Sequence, residues 1–102
     1  MNEAVESVAS DLRLSPVLDL GAAGPLAAEF QARRGSGIAV LASEVQRIGA
    51  PCLQVLLSAQ LTWAADGAHF RVVDSSPEFI EGLALLGADG LGSETTPLEM
   101  LS

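Results

Sequence analysis

The two side chains best suited to covalent or metal chemistry are Cys52, the single cysteine, and His69, the single histidine. Cys52 lies near the start of an expected helix, where a thiolate is electrostatically favoured. A nucleophile also needs a positioned base, and His69 comes from a separate expected strand with no acid paired to it in the sequence. Cys52 therefore reads as a small buried hydrophobe, and the chain as a protein that is not an enzyme. One cysteine and one histidine fall short of a metal ligand set, so neither a metal nor another cofactor is expected. The glycines Gly35, Gly37, Gly87, Gly90 and Gly92 match no phosphate-binding fingerprint at a strand-to-helix junction.

The segment Arg47–Ala59, RIGAPCLQVLLSA, carries the other candidate site. Pro51 suits a first helical position and an apolar run follows it, which leaves Ala50, a poor capping type, as the expected cap. Arg47 is the one basic residue beside this turn and can orient an acidic group through a bidentate contact or remain a solvated loop arginine. Ser43 and Gln46 belong to the same end of the expected sheet. Trp63, further along the helix, reads as core packing or as an exposed docking anchor.

These residues must be held by one small domain, because 102 residues suffice for a modest core and not for two. With 49% hydrophobic residues the chain is outside the disordered class. No apolar run approaches the length that spans a bilayer, and the acidic start MNEAVESVASD lacks the basic residues of a secretory signal. A lone cysteine fits a reducing compartment, so the expected location is cytoplasmic. Thirteen acids stand against five arginines, a net charge of −8. That balance disfavours nucleic acid and anionic lipid surfaces, and leaves a protein or a small molecule as partner.

The elements expected are strands and helices in alternation. Leu12, Leu14, Val17, Leu18 and Leu20, interrupted by Ser15-Pro16, suggest an edge strand or two short pieces. A helix follows at about Pro25–Arg34, with Leu26, Ala27 and Phe30 on one face. Ile38–Val45 is apolar enough for a strand buried on both faces. The central helix runs from about Pro51 to Ala65, His69–Asp74 is a third strand, and Ser76-Pro77 opens a last helix with an apolar stripe of Phe79, Ile80, Leu83 and Leu86. The pattern predicts an α/β domain over residues 1–91, a mixed or parallel sheet with helices packed on it. Residues 92–102 are expected to form a mobile tail, or to dock as a short helix through Leu98, Met100 and Leu101.

Leu18-Asp19 followed by Leu26, the strand Val40–Val45, the segment Gly49–Leu57 and the run Phe70–Pro77 stand in an order that resembles the STAS family, the sulfate-transporter and anti-sigma-factor-antagonist domains. The resemblance covers about Leu12 to Leu91. Antagonist-type members carry Asp-Ser-Ser-Gly or Asp-Ser-Thr-Gly where the second strand meets its helix, and a kinase phosphorylates the first hydroxyl. Aligning the apolar run Leu53–Leu57 puts Gly49-Ala50-Pro51-Cys52 on those positions, so Ala50 stands where the phosphoacceptor would be and has no hydroxyl.

What the resemblance implies is a protein-interaction module of a bacterial signalling pathway, of the anti-sigma-factor-antagonist or chemotaxis kind, whose partner is a kinase or another signalling component. The surface it implies is Gln46, Arg47, Gly49, Ala50, Pro51 and Gln54, with Ser43, Ser75 and Ser76 as alternative phosphorylation sites. A second reading within the family is a subunit docked on the ATPase of a lipid-transport ABC system. A reading of another class is a small-molecule-binding domain with its pocket beside the central helix.

Overall fold

The computed structural model describes residues 10–88 and Leu91; the expected tail over 92–102 lies outside these. Among the described residues the elements run β1 (Ser10–Arg13), β2 (Val17–Leu18), α1 (Leu20–Ala32), β3 (Ile38–Leu41), β4 (Arg47–Ile48), α2 (Ala50–Ala65), β5 (Phe70–Val73) and α3 (Pro77–Leu85). β1, β3 and β5 form a parallel sheet with β3 at its centre, and β2 pairs in parallel with β4 in a separate two-stranded ladder. The architecture is the small α/β arrangement that the alternating pattern predicts.

The sheet order β1-β3-β5 advances in one direction, so right-handed crossovers set α1 and α2 on the same face. The two helices accordingly pack against each other. Between them and the sheet lie Phe30, Trp63 and Phe70, whose ring centroids are 5.8 to 6.3 Å apart. Trp63 is 1% exposed and its indole N–H donates to the Ser36 carbonyl at 2.8 Å, so it belongs to the core and is not a surface anchor. α3 instead lies on β4, where Gly82 sits so close that a Cβ would come within 2.6 Å of Ile48 Cγ2.

The largest departures from the sequence expectation among these elements are at two boundaries. α1 begins at Leu20 and contains Pro25, which was expected near its start. Proline costs the helix a hydrogen bond to the residue four back, but this early in α1 Ala22, Ala23, Leu26 and Phe30 still supply a buried or half-buried face. β3 ends at Leu41, four residues short of Val45. Ala42 and Val45 are as buried as a strand would make them, yet they lie in a folded-in loop. That loop is held by Ser76, whose N–H donates to the Ala42 carbonyl at 3.1 Å and whose hydroxyl donates to the Val45 carbonyl at 2.6 Å.

α3 starts as its sequence dictates: Ser76 caps it, accepting from the Phe79 N–H at 3.0 Å, and Pro77 follows. Gly87 closes it at φ +79°, a left-handed value that glycine takes without a Cβ penalty.

Candidate partner-binding site

The β2–β4 ladder is short, but it positions the site. Leu18 registers with Ile48, the Gly49 N–H donates to the Leu18 carbonyl at 2.9 Å, and each strand runs directly into a helix. The first turns of α1 and α2 therefore begin side by side. Further back, the N–H groups of Gln46 and Arg47 both reach the Pro16 carbonyl, at 2.7 and 3.2 Å, which fixes the approach to β4. The expected surface residues thus come together on one loop and one helical turn.

The N-cap of α2 is Gly49, in extended conformation, and not Ala50. Ala50 is the first helical residue and Pro51 the second, so the expected register of cap and first turn shifts by one. Glycine is an acceptable cap but offers no side-chain oxygen, and no side-chain cap bond is made. Arg47, Ala50, Pro51 and Gln54 are exposed, as is Gln46, and Gly49 is half-buried. Arg47 makes no ion pair among the described residues, unlike Arg13 with Glu44, Arg33 with Glu29 and Arg34 with Asp66. This face therefore carries one uncommitted cation in a strongly acidic chain.

One residue of this face escapes the sequence reading. Leu20, the first residue of α1, is 75% exposed and directly follows Leu18 and Asp19, whose carbonyls accept from Gly49 and Cys52. Its apolarity groups it with the strand residues before it, and only the β2–β4 pairing shows that the chain has already turned into a helix. A large apolar side chain this exposed where two helices start is the composition of a contact centre.

Cys52 is buried at the same turn, and its thiol donates to the Asp19 carbonyl at 3.3 Å. Burial, and secondarily the Asp19 charge, push the thiol up from its ordinary value, which keeps it protonated. His69 is exposed at the approach to β5. No group of three or more metal-ligating residues exists among the described residues.

The alternative phosphorylation sites fall in different surroundings. Ser43 is exposed, Ser75 is half-buried behind Asp74, whose φ of +53° marks a tight turn, and Ser76 is 7% exposed with its hydroxyl engaged as both donor and acceptor. A transferred phosphate at Ser76 would have to break the cap of α3.

The site is thus an exposed strand-to-helix turn on a small parallel α/β layer. The family model described as "Mlab, STAS domain" matches residues 1–98, and the chain belongs to the STAS family. No curated protein and no solved structure matches it. Among the described residues no helix is long and apolar enough to cross a membrane.

Proposed function

We propose that this STAS domain acts by docking a protein partner, without catalysis, through Gln46, Arg47, Gly49, Ala50, Pro51 and Gln54, with Leu20 as an apolar anchor beside them. The observation that carries this is that the β2–β4 ladder sets two helix starts side by side, with the exposed Arg47 on one strand and the highly exposed Leu20 opening the helix that follows the other. The chemistry at Cys52 supports binding over catalysis, because a buried, protonated thiol that donates to a carbonyl is not a nucleophile.

The setting that fits is a bacterial signalling pathway of the anti-sigma-factor-antagonist or chemotaxis kind. Because Ala50 offers no hydroxyl, docking there is not interrupted by phosphate, and any switching acts through Ser43 or Ser75. The same absence favours one second reading, a permanently docked subunit on the ATPase of a lipid-transport ABC system, where no switch at this turn is required.

The test is a pulldown from the native host, followed by calorimetry against the recovered partner. Ala50→Glu places a carboxylate in the first turn of α2, which the helix dipole tolerates or slightly favours, so the fold is retained. It is expected to weaken docking by about 1–3 kcal/mol through charge and bulk at the contact centre, and Arg47→Ala is expected to weaken it as well. If both variants bind like the parent, the partner surface lies elsewhere.

A further inference from the structure

α1 and α2 cover one face of the three-stranded sheet, the face from which Phe70 packs against Phe30 and Trp63. Side chains alternate along a strand, so Asp11 and Arg13 of β1, Ala39 and Leu41 of β3, and Arg71 and Val73 of β5 share the opposite face. α3 lies on β4, and Leu41 and Val73 are left half-buried where a covering helix would bury them. Among the described residues this second face therefore has no helix over it.

Its charges stand in a definite order. Asp11, Ala39 and Arg71 are register partners across the three strands, which sets the acid and the base at opposite edges, about 10 Å apart, with only a methyl group between them. Neither is committed elsewhere: among the described residues the side chains of Asp11 and Arg71 make no ion pair and no hydrogen bond. In the next row stand Arg13, Leu41 and Val73, and Arg13 is balanced by Glu44 at 3.5 Å. Within a chain of net charge −8, this patch sums to zero.

That arrangement selects its partner. An acidic surface gains Arg71 at one edge and is opposed by Asp11 at the other, and a basic surface meets the reverse; a second copy of the same face satisfies both. A two-fold axis running along β3, midway between two stacked sheets, keeps the strands parallel and exchanges the edges, so β1 of one copy lies over β5 of the other at the same height. Asp11 then faces the partner's Arg71, and does so twice. Ala39 and Leu41 meet their own counterparts, and the aliphatic stem of Arg13 covers the partner's Val73.

We infer that the helix-free face of the β1-β3-β5 sheet is the interface of a symmetric dimer of this chain, centred on Ala39 and Leu41 and set in register by two Asp11–Arg71 pairs. Three strands of four residues make a small patch, so the dimer is weak and reversible. None of its residues belongs to the docking turn at Gln46–Gln54, and the inference does not depend on that reading.

Sedimentation equilibrium of the full chain tests it, in about 0.15 M salt, where the net charge is screened beyond about 8 Å. Across concentrations up to about 1 mM the average mass is expected to rise from the monomer toward twice that value. Asp11→Arg and, separately, Arg71→Glu each set like charges against one another at both pairs, and each is expected to weaken self-association by about tenfold or more. Both positions are exposed, so neither change opens the core. An equimolar mixture of the two variants restores both pairs with the charges redistributed between the copies, and is expected to associate to within about threefold of the parent. Variants that had failed to fold could not recover on mixing, so this arm separates a lost contact from a lost structure. A parent mass that does not change with concentration, single variants that self-associate like the parent, or a mixture no better than its components overturns the inference.

Discussion

Trp63→Ala is expected to destabilise the fold by about 3–5 kcal/mol, the range for removing a fully buried aromatic side chain. The cost has three sources that the structure separates. The indole leaves a cavity where α1, α2 and the sheet meet, since its ring is edge-on to both Phe30 and Phe70 at 5.8 and 6.3 Å. Those two aromatic contacts disappear with it. The Ser36 carbonyl also loses its donor at 2.8 Å. Trp63→Phe keeps ring volume but not the N–H, and is expected to cost less than the alanine variant. Urea unfolding followed by far-ultraviolet circular dichroism measures both, because neither variant retains a tryptophan for fluorescence. A loss below about 1 kcal/mol for Trp63→Ala would mean that the aromatic cluster is not where the two helices are held to the sheet.

Ser76→Ala carries the second large effect, about 2–4 kcal/mol. Loss of an N-cap typically costs about 1 kcal/mol, and here the same hydroxyl also satisfies the Val45 carbonyl within the core. Ser76→Asp separates the two parts. A carboxylate still accepts from the Phe79 N–H, but it cannot donate to Val45 and brings negative charge against that carbonyl. If the cap alone mattered, Ser76→Asp would be close to the parent in denaturant midpoint; the structure predicts that it remains clearly destabilised. Loss of the Val45 tether also loosens the loop that feeds Arg47 into β4, so amide hydrogen exchange across Ser43–Gln46 should rise in both variants.

Local chemistry was the readable part of this fold. Ser76-Pro77 states a helix start in two residues, the run from Ile38 states a buried strand, and Pro51 with the leucines after it states the central helix to within one residue of its observed start. The differences share one cause, that apolarity does not by itself report conformation. Ala42 and Val45 are buried in a loop because Ser76 satisfies the carbonyls that a strand would otherwise pair. Leu20 is apolar yet exposed, and its place in a helix depends on a ladder of two residues in each strand. β4 itself, Arg47-Ile48, is too short to leave a periodic signal. The candidate surface was legible as a list of neighbouring residues in Gln46–Gln54; Leu20 joins it only through a long-range backbone bond.

The parallel ladders also govern the order in which the chain can assemble. Among the described residues every strand pair is parallel, so none can close as a hairpin: Ser10 waits for Ile38, and Ile38 for Phe70, each across a whole helix. Nascent helical turns in α1 and α2 can form early, but the sheet that retains them requires distant segments to meet, a topology that folds slowly for its size. During synthesis β3 emerges long before β5, so the most apolar strand of the domain spends that interval with one edge unpaired and open to wrong partners.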